Sequence, residues 1–153
     1  VSTDAGSSKK AYKYAKEFGV SMAMLDKRRD GNNDKAIANS FIGEVKGKKC
    51  IIFDDEVDTA GSLMEAVNAL NEHGAKEVYA ACTHGVLSGP AIERIKESNL
   101  KELVITNTIP LVKEKQIDKI KVLDISNLFG QAIARIHRGQ GVGELFRDSK
   151  MQF

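Results

Sequence analysis

The sequence has 153 residues, of which 42% are hydrophobic and 29% are charged. This length allows one domain with a substantial core, and the composition is ordinary for a soluble globular protein. The 23 basic and 21 acidic residues leave a formal net charge of +2, so composition gives no support for a nucleic-acid or membrane partner. No apolar run approaches the length of a membrane span, and the first residues lack a signal-peptide pattern.

The chain begins Val1-Ser2-Thr3-Asp4 without an initiator Met, and these residues are typical of a strand end that runs into a turn. We therefore expect a further segment before Val1. Apolar spacing predicts a helix over 8–18, capped by Ser7 or Ser8 and ended by Gly19. The pattern then predicts, in order, a buried strand over 20–25, a polar loop over 26–34, and a helix followed by a strand over 35–45.

From residue 49 onward, short apolar strands alternate with helices. The predicted strands are 49–53, 78–83, 103–106 and 122–125, and the predicted helices are 63–72, 90–96 and one that begins at a Ser126 cap. Strands that are apolar on both faces indicate an α/β fold with a mostly parallel sheet flanked by helices, in a single domain over 1–153. The last helix is expected to bury one apolar face, formed by Leu128, Phe129, Ala132, Ile133 and Ile136.

The two cysteines, Cys50 and Cys82, lie in apolar, strand-like runs. We expect both to be small buried hydrophobic side chains in a reducing cytoplasm, with a catalytic thiol as the alternative. Neither cysteine has zinc-ligand spacing.

Polar segments follow four of the predicted strands, at residues 3–6, 26–29, 54–62 and 83–85. In a parallel sheet the carboxyl ends of the strands meet at one edge, which is where such folds bind ligands. The sequence therefore predicts a binding site at this edge.

The segment over 54–62 is the most informative of the four. Asp54 and Asp55 end an apolar strand, and a small-residue turn opens the next helix. Carboxylates accept hydrogen bonds from ribose hydroxyls or hold a hard cation, while backbone N–H groups at a helix start bind phosphate. This order favours a phosphorylated sugar. The alternative is a capping box formed by Ser62 and Glu65, which would make the turn a helix start and nothing more.

Three other features have weaker interpretations. Asp4, placed before a glycine–serine turn, is either part of a second anion cradle or part of an N-cap region. Lys27, Arg28 and Arg29 would neutralise a polyphosphate if their loop closed over it, and a solvated charged loop is the alternative. His84 is expected to be structural or exposed, and the lysines of the first helix (Lys9, Lys10, Lys13 and Lys16) to form its solvent face.

The 54–62 motif resembles the phosphoribosyl-pyrophosphate (PRPP) motif of the type I phosphoribosyltransferase fold. Four further segments narrow the resemblance, at residues 1–6, 26–29, 74–91 and 106–110. Together, and in this order, they resemble the C-terminal half of the ribose-phosphate pyrophosphokinases (PRPP synthetases). The resemblance extends from residue 1 to about residue 146.

This resemblance implies a transferase reaction in which the anomeric hydroxyl of ribose 5-phosphate attacks the β-phosphorus of Mg-ATP, giving PRPP and AMP for nucleotide biosynthesis. It implies that Asp54 and Asp55 engage the ribose hydroxyls beside Mg²⁺, and that Asp4 is linked to Mg²⁺. Lys27 matches the lysine of a mobile catalytic loop, and Arg29 matches its substrate-binding arginine. The residues implied to cradle the 5-phosphate are Asp58, Thr59, Ala60, Gly61 and Ser62.

The resemblance also implies partners. In this family an N-terminal half of the same fold supplies most ATP contacts, and neighbouring subunits complete the site. We therefore expect that a homologous N-terminal domain is absent from this chain and that the protein is a homo-oligomer, a hexamer by family. This chain alone should bind ribose 5-phosphate or PRPP weakly and should not synthesise PRPP efficiently.

Three other functions remain as alternatives. A phosphoribosyltransferase that consumes PRPP would share the Asp-Asp motif but should carry a base-recognising hood, and no segment suits one. A non-catalytic regulatory subunit of the synthetase would have no need of Asp4, Lys27 and Arg29. A receiver domain would carry its acidic pair after the first strand, which this order does not match.

Overall fold

The computed structural model describes residues 1–3, 7–28 and 38–146, with backbone alone for 26–28 and 38–40. The helices are α1 (Ser8–Phe18), α2 (Gly61–Glu72), α3 (Ala91–Glu97) and α4 (Ser126–His137), with short 3₁₀ helices at Lys113–Lys115 and Val142–Phe146. The strands are β1 (Met24–Arg28), β2 (Ala38–Ile42), β3 (Lys49–Val57), β4 (Glu77–Gly85), β5 (Leu100–Thr106) and β6 (Ile120–Leu123).

A four-stranded parallel sheet in the order β3-β4-β5-β6 forms the centre of the described structure. Its strands carry fully buried side chains such as Ile52, Val78 and Leu103, which share one core with Val67 and Leu70 of α2. Parallel strands require crossover connections, and helices α2 and α3 supply them between β3, β4 and β5. The predicted α/β class, with a mostly parallel sheet flanked by helices, is confirmed.

The segment between α1 and β3 differs from its prediction. The strand predicted over 20–25 begins only at Met24 and continues to Arg28, where it pairs with β2 in an antiparallel ribbon. Residues 26–28 of the loop predicted over 26–34 therefore form part of a strand, and residues 29–34 lie outside the described residues. Cross-strand pairing satisfies the backbone of this polar stretch, which side-chain polarity alone had assigned to a loop. Of the segment predicted over 35–45, the described part contains the strand and no helix.

Strand β3 is longer than predicted. It continues past Phe53 to Val57, because Asp54, Glu56 and Val57 pair with the end of β4. Backbone pairing thus carries the strand through its acidic residues. The predicted strand over 122–125 is also displaced, to Ile120–Leu123.

Helix α4 contradicts its prediction most clearly. None of its residues is buried, and Ile133 and Ile136 are 65% and 66% exposed. The helix follows the edge strand β6 and packs mainly on the 3₁₀ helix Val142–Phe146, where Arg135 forms an ion pair with Glu144 at 2.5 Å. Its apolar face therefore does not meet the sheet of this chain.

Two further expectations concern burial and membranes. Cys50 and Cys82 are both 6% exposed and unpaired, as expected for small hydrophobic side chains. Across the part of the chain that the structure describes, no helix is long and apolar enough to span a bilayer.

Candidate functional site

A hollow of about 210 Å³ opens at the carboxyl edge of β3. Asp54, Glu56 and Val57 line one side of it, and Leu63 lies at its far end. The remaining wall is the 58–62 loop, which we define as Asp58, Thr59, Ala60, Gly61 and Ser62. The structure thus gathers six predicted ligand-binding residues, Asp54 and the 58–62 loop, around one concave surface.

The 58–62 loop ends in the first turn of α2. Ala60 is the N-cap residue and has the left-handed backbone angle φ 59°, which costs a non-glycine residue on the order of 1 kcal/mol. The first amides of a helix have no intrahelical acceptor and lie at the positive end of its dipole, so they favour an anion. The loop therefore has the properties of a phosphate cradle.

The capping-box alternative is wrong. Helix α2 begins at Gly61, so Ser62 is its second residue and not its cap. The N-cap position is held by Ala60, and no side chain caps it. An alanine at this position leaves the helix start open to a ligand, because it offers no oxygen to the free amides.

A second loop, which follows β4, supports the first. The amide of Leu87 donates to the carbonyl of Val57 at 3.0 Å, and the amide of Ser88 donates to that of Asp58 at 3.0 Å. The Ser88 hydroxyl also donates a short hydrogen bond to the Asp58 carboxylate. Asp58 is thus held against the neighbouring loop and helps to fix the entrance of the cradle.

Asp54 and Asp55 are successive exposed residues of β3 with different surroundings. Asp54 lines the hollow of the 58–62 loop and also a second cavity of about 210 Å³ beside α1, whereas Asp55 lines only the second cavity. The Asp54 carboxylate accepts the Asp55 amide at 2.8 Å. Of the two carboxylates, Asp54 is the one that links the two cavities.

Lys10 is exposed, as expected for the solvent face of α1, and its Nζ also donates to both carboxylate oxygens of Asp55, at 2.5 and 2.8 Å. This hydrogen bond raises the pKa of Lys10, with the charge of Asp55 as a further cause. In the sequence, the only sign that Lys10 lies near the site is that it follows shortly after Ser7, which also lines the second cavity.

The second cavity has an apolar floor. Tyr14 packs on Phe53 with a ring-centroid distance of 4.6 Å, and both line the cavity together with Cys82. Burial, together with the negative charge of Asp54, raises the pKa of the Cys82 thiol to about 12. A thiol that stays protonated at neutral pH is a poor nucleophile, which argues against the catalytic-thiol alternative at Cys82.

The other predicted site residues stand apart from this geometry. Asp4 and Arg29 lie outside the described residues, and for Lys27 the structure describes only the backbone, which lies in β1 opposite Asn39. His84 is exposed, and its Nδ1 lies 3.0 Å from the Thr108 hydroxyl, in keeping with the structural or exposed role expected of it.

The donor set suits a magnesium ion that is shared with a substrate. Within the described ranges no group of three or more His, Cys, Asp or Glu side chains could hold a metal ion. Magnesium does not require such a group, because it binds through one or two carboxylates together with substrate phosphates and water. Asp54 provides a carboxylate of this kind at the edge of the cradle.

A family model, the phosphoribosyl synthetase-associated domain, matches residues 32–147. The chain belongs to this family. The matched range includes β3, the 58–62 loop and the supporting loop after β4, so the family assignment covers the whole cradle.

Curated relatives of this family member carry the name ribose-phosphate pyrophosphokinase. The protein from Caldanaerobacter subterraneus is 56% identical over 146 residues, and that from Bacillus subtilis is 49% identical over 146 residues. Each alignment covers 95% of this chain and 46% of the relative, so the chain spans about half the length of the curated relatives it matches. The resemblance to ribose-phosphate pyrophosphokinases is confirmed.

A solved structure leads to the same family. The crystal structure of phosphoribosylpyrophosphate synthetase from Mycobacterium smegmatis matches with a TM-score of 0.82 at 40% sequence identity. The match covers 90% of this chain and 44% of that chain.

Proposed function

We propose that this chain forms the ribose 5-phosphate side of a ribose-phosphate pyrophosphokinase, a transferase that makes PRPP and AMP from ribose 5-phosphate and ATP. The observation that carries the proposal is the hollow between Asp54 and the 58–62 loop, where carboxylates and an open helix start share one surface. The names of the relatives support this reaction over other uses of a phosphorylated sugar.

The two ends of ribose 5-phosphate have complementary partners in this hollow. Amide N–H groups and hydroxyls of the 58–62 loop bind the 5-phosphate, and Asp54 accepts hydrogen bonds from the ribose hydroxyls. Asp55 joins them once Lys10 releases its carboxylate. Binding at both ends holds the anomeric hydroxyl in one position, which is the main requirement of this transfer.

The anomeric hydroxyl gives up its proton to solvent as its oxygen forms a bond to the β-phosphorus of ATP. The bond between that phosphorus and the oxygen bridging to the α-phosphorus breaks, so that AMP leaves with that oxygen. Lys27 and Arg29 neutralise the negative charge that develops on the transferred group. Asp4, together with the Asp54–Asp55 pair, would hold Mg²⁺, which would supply positive charge to the phosphate oxygens.

Most contacts to ATP come from outside this chain, in the part of the relatives that it does not match. We also propose a cytoplasmic homo-oligomer, a hexamer, without nucleic-acid or membrane partners. The PRPP-consuming transferase and the regulatory subunit remain the rival functions, and the names of the relatives favour neither.

The test is AMP formation from ribose 5-phosphate and ATP by the natural protein that carries this sequence. We expect Lys27→Ala to lower kcat by about a hundredfold or more, because one cation that stabilises a transition state is lost. The matched control is Lys101→Ala, on the exposed side of β5, which should keep kcat within about twofold.

One result would contradict the proposal, and another would contradict the role of Lys27 alone. A natural protein that forms no AMP under these conditions does not have this activity. Near-normal turnover of Lys27→Ala would remove Lys27 from its role and leave the rest of the proposal intact.

A further inference from the structure

The shape of the 58–62 loop depends on residues outside it. Ala60 keeps its left-handed angle, φ 59°, although it is not a glycine, and Leu87 in the supporting loop has φ 51°. Such conformations persist only where the surrounding structure holds them. Leu87 and Ala60 are 1% and 4% exposed and both belong to the core, whereas Thr59, whose carbonyl belongs to the peptide before Ala60, is exposed. A contact to that carbonyl would add to the hold of the core.

Arg94 of α3 makes that contact. Its Nη1 donates to the carbonyl of Thr59 at 2.9 Å. The same nitrogen would lie 3.5 Å from a Cβ built on Gly61, so the guanidinium lies directly against the loop. Helix α3 is a firm base for it, because Ala91 and Ile95 are fully buried in the core.

This hydrogen bond fixes the orientation of one peptide plane. In a planar trans peptide the C=O and N–H groups point in opposite directions, so a Thr59 carbonyl held by Arg94 directs the Ala60 N–H away from Arg94. If the peptide between Thr59 and Ala60 flipped, its carbonyl oxygen would take the place of the Ala60 N–H and would repel an anion there. The Arg94 contact thus selects the peptide orientation that donates.

We propose that Arg94 is a positioning residue for phosphate recognition by the 58–62 loop, an inference that rests on the function proposed above. Ser88 assists from the other side through its hydrogen bond to the Asp58 carboxylate. The permanent charge of Arg94 beside Gly61 also favours an anion in the loop.

The test compares Arg94→Met with Arg94→Lys in the natural protein that carries this sequence, through the KM for ribose 5-phosphate, the KM for ATP and kcat. Arg94→Met should raise the KM for ribose 5-phosphate by about tenfold, because a charge-assisted hydrogen bond is lost, and should leave the KM for ATP within about twofold. Arg94→Lys should recover part of the loss, since an ammonium still donates to one carbonyl.

Lys96→Met is the matched control, because it removes a cation from an exposed position of the same helix and should leave both KM values within about twofold. If Arg94→Met does not fold, Arg94→Gln and Ser88→Ala carry the same comparison, each with a smaller rise in the KM for ribose 5-phosphate.

An equal rise of both KM values in the Arg94 variants, or a KM for ribose 5-phosphate no higher than that of Lys96→Met, would overturn the positioning role. A natural protein that forms no AMP would overturn the proposed function and this inference with it. Normal AMP formation with unaffected Arg94 variants would overturn this inference alone.

Discussion

Asp124 connects the ends of two neighbouring strands to the first turn of α4. Its Oδ1 accepts hydrogen bonds from the Ser126 hydroxyl at 2.6 Å, the Ser126 amide at 2.8 Å and the Asn107 side chain at 2.7 Å. These bonds lower the pKa of Asp124, with the Ser126 hydroxyl as the largest cause. The charged carboxylate therefore contributes to the stability of the fold.

A pH-dependent stability follows for Asp124→Asn. Because the folded pKa lies below the ordinary value of 3.8, the contribution of the charge is present above that value and is lost as pH falls through the folded pKa. The difference in free energy of unfolding between wild type and Asp124→Asn should be constant at neutral pH and shrink below about pH 4. Urea unfolding at several pH values between about 2.5 and 7 measures this difference in free energy of unfolding.

The matched control is Asp118→Asn, an exposed aspartate in the loop before β6. Its difference from wild type should change less over the same pH range than that of Asp124→Asn. A difference for Asp124→Asn that stays the same at low pH would show that the charge of Asp124 has no role in stability.

At the level of single residues, sequence predicts best where the partners are close along the chain. Asp54 and the 58–62 loop were predicted to lie together, and they line one hollow because they are nearly contiguous in sequence. The role of Asp124 at the start of α4 was not predicted, because Ser126 was the more obvious cap and the partner Asn107 lies in the turn after β5. The contact of Lys10 was not predicted for a similar reason, since its partner Asp55 is 45 positions away.

At the level of elements, α3 and α4 have similar sequence patterns and different environments. Ile95 of α3 is fully buried, whereas Ile133 of α4 is 65% exposed. An amphipathic pattern shows that a helix has an apolar face, but not which surface covers that face. The pattern predicted the existence of both helices and could not predict the burial of α4.

This difference in burial predicts that an isoleucine-to-alanine substitution lowers the free energy of unfolding by different amounts in α3 and α4. In this chain, Ile95→Ala should lower the free energy of unfolding by about 2–4 kcal/mol, because it leaves a cavity in the core. Ile133→Ala should change it by less than about 0.5 kcal/mol, as surface substitutions do. Urea unfolding of the two variants gives both values. If Ile133→Ala lowered the free energy of unfolding as much as Ile95→Ala does, the apolar face of α4 would have to pack against the rest of the chain.

Strand boundaries were predicted less well than strand identity. The existence of β3, β4, β5 and β6 follows from short apolar runs that sequence shows directly, whereas their order in the sheet comes from the structure. The extension of β3 through Asp54 to Val57 depends on pairing with Cys82, His84 and Gly85, which only the fold brings alongside. Side-chain polarity does not predict where a strand ends when the backbone of its polar residues pairs with a neighbouring strand.

At the scale of the whole molecule, the chain contains the proposed ribose-phosphate cradle and spans less than half of the relatives that it matches. We predict that this chain alone forms AMP from ribose 5-phosphate and ATP at least about a thousandfold more slowly than the natural protein, because the second substrate is not positioned. Side-by-side assays of the two proteins measure the ratio. Robust AMP formation by the chain alone would contradict this prediction.

The central claim is that the 58–62 loop binds the phosphate of ribose 5-phosphate. Amide chemical shifts of the ¹⁵N-labelled chain, titrated with ribose 5-phosphate and separately with ribose, test it most directly. We predict that ribose 5-phosphate shifts the amides of Thr59, Ala60, Gly61 and Ser62, that ribose does not, and that inorganic phosphate competes. Shifts that are absent from this loop at millimolar ribose 5-phosphate, or equal for both sugars, would contradict the claim.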